Sequence, residues 1–344
     1  MLPPKNVKLN PILKRLGKVA AHLGLNAFLV GGAVRDLLSG KKDLDWDIMT
    51  EESPEPLVLA AAKLTGGRVT AYPQFGTFSV ENARGLRIDF ATARKETYSS
   101  PGALPEVVFS GLENDIFRRD FTVNALAVRL GGVKSGEIID FFGGKRDLKN
   151  RILRVLHRKS FRDDPTRIFR LARFASRGFR IDRLTGKLAL AGAGFISRIS
   201  PERAARELLL ILEEKDPYAA LKTLQGWGIT EKLLRGTDVS PRLSALAKIE
   251  TLDGRLAFLF SLTAKSRRLE TYKALRFSNK LVNSIEKLLA PAKIKPVLGG
   301  KDLIKMGYRQ GPVFKTILDG LARSGIVSRA KARKFVFDNF PQKI

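Results

Sequence analysis

The 344-residue chain contains no cysteine. That excludes disulfides, a disulfide-linked partner and thiolate metal sites, and it suits a reducing cytoplasm. Histidine is nearly absent: His22 and His157 are the only two, too few for a histidine-rich metal centre. No apolar run approaches the roughly 20 residues that span a bilayer, so no membrane insertion is expected. Met1 to Asn10 holds two prolines and no apolar signal core, which argues against secretion. Acidic residues are scarce beside basic ones, 34 against 62, for a net charge of +28. Such an excess repels itself in a compact state and calls for a polyanionic partner. Nucleic acid comes first, because neutralised phosphates release counterions. An anionic membrane surface comes second, but no amphipathic segment carries Trp or Phe anchors on its apolar face.

Hydrophobic residues make up 44% of the chain, enough to build cores, and the length allows two or three packed units. Residues 11–24 recur at helical spacing. Asn26–Val30 reads as a buried strand that stops at Gly31-Gly32, and Ala33–Leu38 reads as a helix. Leu44–Met49 alternates as a strand, Pro54–Leu64 is helical, and Phe75–Val80 with Leu86–Thr92 form a strand pair around Asn82–Gly85. Ser99–Leu104 is a loop, a helix is expected from about Phe121, and a strand near Glu137–Phe141. Beyond about residue 148 strand patterns vanish. Helices are expected at 165–177, 201–214, 217–225, 242–247, 255–264, 269–275, 278–289, 301–307, 312–323 and 328–338. The fold class is α+β: a head with a small mixed or antiparallel sheet, then an all-helical remainder.

Asp45 and Asp47 lie two apart on a predicted strand, so their side chains share a face. Two carboxylates there repel unless a cation bridges them, and a hard divalent ion such as Mg²⁺ suits oxygen donors. An isolated Asp-x-Asp is ordinarily a polar strand face, so its context decides. Phe28 to Asp36 is strand, Gly-Gly, helix. The glycines admit a phosphate close to the backbone, the helix start offers N–H groups, and Arg35 adds a cation one turn in.

Val30-Gly-Gly-Ala-Val-Arg-Asp36 followed by Leu44-Asp-Trp-Asp47 resembles the head motif of class II tRNA nucleotidyltransferases and bacterial poly(A) polymerases. The resemblance continues through Arg87–Tyr98, Pro101–Pro105, Arg118–Leu126, Asp140–Gly144, Asp163–Phe174 and Ser200–Arg203. These ordered segments span residues 28–214, just over half of the chain. The family's usual Glu-Asp at the start of the neck motif is Asp163-Asp164 here, which keeps the charge.

What the resemblance implies is specific. Residues 1–147 would be a catalytic head, 148–215 a helical neck that selects the base, and 216–344 a body and tail that bind RNA. Asp45 and Asp47 would be the catalytic carboxylates and hold Mg²⁺ in a two-metal site. Gly31, Gly32 and Arg35 would grip the triphosphate of CTP or ATP, and Arg118 or Arg119 would contact the nucleotide. Asp164 and Arg167, read as helix neighbours, would hydrogen-bond the base edge, supported by Arg170 and Arg173. Asp89 is either a third metal carboxylate or the partner of a nearby arginine. Arg94, Lys95, Glu96 and Tyr98 would begin a flexible loop that helps switch nucleotide specificity. Asp120 and Asn124 are expected to be scaffold groups, and His157 structural or RNA-facing.

The implied activity is addition of CMP, AMP or both to the 3′ end of tRNA, with release of pyrophosphate. The uninterrupted segment 94–107 disfavours CC-only addition. A bacterial poly(A) polymerase is the alternative within the family. A non-catalytic RNA-binding protein is the alternative outside it, and the intact Asp45/Asp47 pair argues against that reading. Eleven basic residues at 151–183 and six at 321–344 provide a track for an RNA backbone.

Overall fold

A computed structural model describes residues 6–41, 45–72, 76–235, 241–261, 263–290, 296–324, 326 and 328–340. The chain divides into two compact units, Met1–Val282 and Asn283–Ile344.

The first unit opens with α1 (Pro11–His22). Asn10 starts it by accepting the Ile12 N–H at 2.8 Å, and Pro11 occupies the first helical position. Then come β1 (Ala27–Val30), α2 (Gly32–Leu38), β2 (Asp45–Thr50), α3 (Glu55–Thr65), β3 (Arg68–Tyr72), β4 (Thr77–Glu81) and β5 (Arg87–Thr92). A separate hairpin follows, β6 (Arg94–Thr97) with β7 (Glu106–Phe109), and then α4 (Leu112–Phe117), β8 (Ala127–Arg129) and β9 (Ile138–Ile139). Seven strands form one sheet in the order β3-β4-β5-β2-β1-β8-β9. All its pairings are antiparallel except β2 with β5.

One face of this sheet buries Leu29, Trp46, Ile48 and Ile88 against Leu13, Leu16 and Ala20 of α1 and Leu57, Val58 and Ala61 of α3. The other face carries a smaller cluster in which Phe28, Val30 and Met49 meet Leu112 and Ile116 of α4. Burial of this kind contributes roughly 25 cal/mol per Å² and fixes the strand register, because a one-residue slip would turn the apolar set to solvent.

The remainder of the first unit is largely helical. It holds α5 (Gly144–Asn150), β10 (Ile152–Leu153), α6 (Ser160–Asp163), α7 (Thr166–Ser176), β11 (Arg180–Ile181) and α8 (Arg183–Gly192). It continues with α9 (Pro201–Leu212), α10 (Pro217–Gln225), α11 (Ile229–Leu233), α12 (Leu252–Ser261) and α13 (Lys265–Ala274). Helix α14 (Asn279–Leu289) crosses the boundary between the units. The second unit adds α15 (Gly300–Lys305), α16 (Pro312–Ser324) and α17 (Arg329–Asn339) around Leu298, Leu303, Tyr308, Ile317, Leu321, Ala332 and Val336. No helix among the described residues is long and apolar enough to cross a membrane.

Several elements differ from the sequence expectation. The helix expected from Phe121 lies upstream, at α4. Asp120 accepts the Phe121 N–H and the Asn124 amide, which confines 122–124 to one 3-10 turn before β8 joins β1. Strands do not vanish after residue 148: β10 and β11 pair in parallel, two residues each. Residues Pro241–Lys248 are 3-10 rather than α. Helix α8 has no counterpart in the sequence expectation, although Asp182 caps it by accepting the Leu184 and Thr185 N–H groups. Leu44 and Phe75, read as strand starts, lie outside the described residues.

Candidate active site

The site grows out of the β1–α2 turn. Gly31 has φ +71°, a conformation that costs any L side chain, and a Cβ there would stand 2.5 Å from Arg119 Nη1 and 3.5 Å from Asp47 Oδ2. The glycine is therefore required twice, for its backbone and for the space it leaves. Those distances put the Asp47 carboxylate directly beside the glycine bend. The β2 alternation does the rest: Trp46 and Ile48 enter the core, while Asp45 and Asp47 lie on the opposite face, Asp47 open to solvent as a residue but with its carboxyl sheltered among neighbouring groups.

Loss of hydration raises the Asp47 carboxyl above the ordinary range. Arg119 pulls it down, and the negative fields of Asp89 and Asp45 push it up again. Arg119 and Arg87 offset that rise only in part, and a further cation would favour the charged carboxylate. The donor set fits a Mg²⁺ ion, which commonly takes one or two carboxylates and completes its shell with water and substrate phosphate. Asp89 pairs in register with Asp47, but Arg87 Nε donates to both its oxygens at 3.0 and 3.1 Å. Among the described residues no three acidic or histidine side chains converge on one ion. Of the two readings of Asp89, the arginine partner is the one observed.

Arg35 is locked in place. It donates to Asp36 at 2.6 and 3.1 Å and to Asn124 at 2.7 Å, and it lies over the Phe174 ring at 5.1 Å. Arg118 and Arg119 are both gripped by Asp115, a buried residue of α4 three and four positions upstream. Burial pushes Asp115 up, but the two arginines outweigh that and hold it below the usual carboxylate range. Arg118 also donates to Glu96 at 2.9 Å. Arg119 differs: it lies against Gly31, and its buried Nε finds no hydrogen-bond partner among the described residues.

The facing wall comes from the bend after α6, from α7 and from α9. Together with Gly31, Gly32, Arg35, Asp47, Arg118 and Arg119 it encloses a cleft of about 540 Å³. Asp164, Arg167 and Arg170 line it. Asp164 is not on the helix, as its spacing to Arg167 implied, but in the extended bend between α6 and α7, with φ −130°. Its Oδ1 accepts from Thr166 and, at 2.8 Å, from Arg203. Arg167 is buried, and donates to Ser160 Oγ at 2.8 Å and to the Arg118 carbonyl at 2.6 Å. Arg170 donates to Asp120 at 2.7 Å; Asp120 is fully buried, yet Arg170 and Asn124 keep it below the ordinary carboxylate range. Arg173 does not line the cleft. Glu214 takes its Nε at 3.0 Å and also binds Arg177.

The residues expected to begin a flexible loop lie in and just beyond a strand. Arg94, Lys95 and Glu96 belong to β6, and the Tyr98 hydroxyl donates to Glu96 at 2.9 Å. The turn beyond them is tied to α9, where Arg203 donates to the Gly102 carbonyl at 3.1 Å. Sequence reasoning missed Asp115, Arg203 and Glu207 as cleft-shaping groups. The signals were present as helical spacings: Asp115 to Arg118 and Arg119, and Arg203 to Glu207. Burial raises the Glu207 carboxyl, and its Oε2 has no hydrogen-bond partner among the described residues.

A seven-stranded mixed sheet with a glycine bend beside paired carboxylates defines the class of fold as a nucleotidyltransferase head. Residues 27–154 match the Poly A polymerase head domain, and residues 178–240 match the family described as "Probable RNA and SrmB- binding site of polymerase A". The A-adding tRNA nucleotidyltransferase of Halalkalibacterium halodurans is 38% identical over 244 residues, 70% of this chain and 57% of that protein. The CC-adding tRNA nucleotidyltransferase of Deinococcus radiodurans is 32% identical over 328 residues, 88% of this chain and 86% of that protein. A solved CCA-adding enzyme in an apo form superimposes with a TM-score of 0.75 at 28% identity, covering 96% of this chain and 97% of that one. The chain belongs to the class II tRNA nucleotidyltransferase/poly(A) polymerase family. It spans 57%, 25% and 28% of three A-adding relatives it matches, the last two from Geobacter sulfurreducens and Aquifex aeolicus.

Proposed function

We propose that the protein transfers a nucleotide from ATP or CTP to the 3′ end of tRNA. The observation that carries this reading is Asp47, on the strand face it shares with Asp45, standing beside Gly31 in a cleft whose far wall presents Asp164 and Arg167. In the reaction the terminal ribose oxygen bonds to the α-phosphorus while the bond to the bridging oxygen breaks. Pyrophosphate departs with that electron pair, and the hydroxyl proton passes to water. Bound at Asp45 and Asp47, Mg²⁺ would supply Lewis acidity toward the phosphate and the attacking oxygen.

The chain's own groups do the positioning. The Gly31 bend and the α2 N-terminus accept the triphosphate. Arg119, whose Nη1 lies beside the same bend and whose Nε has no hydrogen-bond partner among the described residues, is the arginine that grips it, while Arg118 braces the wall through Asp115 and Glu96. Asp164 presents acceptor oxygens and Arg167 donors, a complement to the mixed edge of cytosine or adenine. Asp120, Arg203 and Ser160 hold that wall rigid, so base choice rests on fixed rather than adaptable groups. Asp89 serves to position Arg87 beside the carboxylates.

Terminal A addition has the stronger support among the activities, because three A-adding relatives reach 38–42% identity. Solved CCA-adding enzymes bound to CTP, to ATP and to tRNA superimpose on this chain with TM-scores of 0.71, 0.72 and 0.69, which supports the substrate class. The test uses tRNA transcripts ending at the discriminator base, at C and at CC, each with CTP, ATP or both. Extension of the CC transcript by one A alone is the expected result. Growth of the two shorter transcripts would make the enzyme CCA-adding or CC-adding, and a long A tail would make it a poly(A) polymerase.

A further inference from the structure

A second cavity, of about 560 Å³, lies behind the wall of the catalytic cleft. Glu96, Tyr98, Arg118 and Arg167 line both spaces, so the two share a wall. On the far side the cavity is built differently. Phe117 and His157 line it and pack on each other at 5.1 Å; Phe142 and Phe141 lie outside the lining, but Phe117 meets Phe142 at 5.7 Å and Phe142 meets Phe141 at 6.1 Å, so a ledge of rings leads away from the cavity. Phe117 and Phe141 are exposed at its surface, 42% and 46%. Around the ledge stand Lys95, Arg158 and Lys159, all exposed, and Asp163 is the acid beside His157. Burial and the neighbouring Arg167 hold His157 below its ordinary pKa, so at neutral pH it is a neutral ring.

Aromatic faces beside a cationic rim are the combination that binds single-stranded nucleic acid: bases stack on rings, and phosphates meet the cations. We infer that this ledge holds one nucleotide of the single-stranded RNA end, next to the catalytic cleft but outside it. The inference rests on the proposed reading of the chain as an RNA-extending enzyme. A nucleobase with its phosphate has two sources, the RNA strand and a free nucleotide. The argument for RNA is the length of the ledge, which offers several rings in a row rather than a closed pocket for one base.

The test uses the full chain and a tRNA transcript lacking its last nucleotide, with a photoreactive 4-thiopyrimidine among its last three positions. Irradiation is expected to link it to a peptide containing Phe117 or His157. Phe117→Leu keeps the apolar packing and removes the stacking face. It should raise KM for the transcript by about five- to thirty-fold and leave kcat and the KM for nucleotide within about two-fold. The exposed pair Arg158→Ala/Lys159→Ala, which threatens no core, should weaken transcript binding and lower the salt slope by about 0.7 for each phosphate that is no longer neutralised. An unchanged transcript KM in both variants, each melting as the parent does, would overturn the inference. So would a rise confined to the nucleotide KM, which would make the occupant a free nucleotide. If the parent incorporates nothing, the functional reading fails by itself. Transcript binding by the two variants then judges the ledge alone, and unchanged affinity sinks it.

Discussion

The two walls of the cleft handle charge in opposite ways. On the head wall Asp45 and Asp47 share a strand face beside Asp89, and desolvation with mutual repulsion raises Asp47. On the helical wall the charged groups are mostly spoken for: Asp164 by Arg203, Arg170 by Asp120, and Arg167 by Ser160 and the Arg118 carbonyl. The head wall keeps a repulsion that Arg119 and Arg87 offset only in part, which a cation can convert into binding. The helical wall stores order, which a base edge can read. Chemistry and selection are thereby assigned to groups with different electrostatic requirements, and substitutions should separate them.

The largest effect is expected from Asp47→Asn. Incorporation should fall by about a hundred- to a thousand-fold or more, measured with a CC-ending transcript and ATP, while transcript affinity holds. The same variant should melt no lower than the parent. A carboxyl raised in the folded state makes its charged form a liability above the folded pKa, and that liability fades as pH falls through it. Asp47→Asn removes it at neutral pH. A lower melting temperature together with retained incorporation would show that the head wall is an ordinary structural pair.

Asp115→Asn should act on both walls, because one buried carboxylate holds Arg118 and Arg119. Breaking a buried pair of this kind costs about 3–5 kcal/mol, seen as a lower denaturant midpoint, and nucleotide KM should rise with it. The pH dependence has the opposite sign from Asp47. Asp115 is depressed in the folded state, so its contribution is present above the unfolded carboxylate pKa and is lost as pH falls through the folded one. The stability difference between parent and variant should therefore shrink in acid.

Asp164→Asn should change selection more than rate: the preference between ATP and CTP should shift by about ten-fold, the scale of one hydrogen-bond group, with kcat for the better nucleotide moving less. Arg173→Ala should have the smallest catalytic effect. It should lower the melting temperature through Glu214 and leave both nucleotide KM values within about two-fold. A large KM change there would put Arg173 back among the nucleotide contacts.

Much of the head was legible because its signals are local. The alternation of Asp45, Trp46 and Asp47 determined which side chains share a face, and the strand–glycine–helix order determined where the bend falls. Helical periodicity located α7, α9, α10 and most later helices to within a few residues. Legibility failed where a short segment takes its form from distant partners. Arg94–Thr97 is a strand because Glu106–Phe109 pairs with it, and residues 122–124 turn rather than coil on because Asp120 caps them.

By itself, then, the sequence determined the carboxylate pair, the glycine that admits a phosphate, and a positive charge that demands a polyanion. Each depends on neighbours within a strand or a helical turn. Only the tertiary structure decided which arginines are left over for a substrate. Arg170 and Asp120 are 50 positions apart, Arg173 and Glu214 are 41, and Asp164 and Arg203 are 39. Ion pairs of that reach are set by the packing of α7 and α9, and no local spacing encodes them.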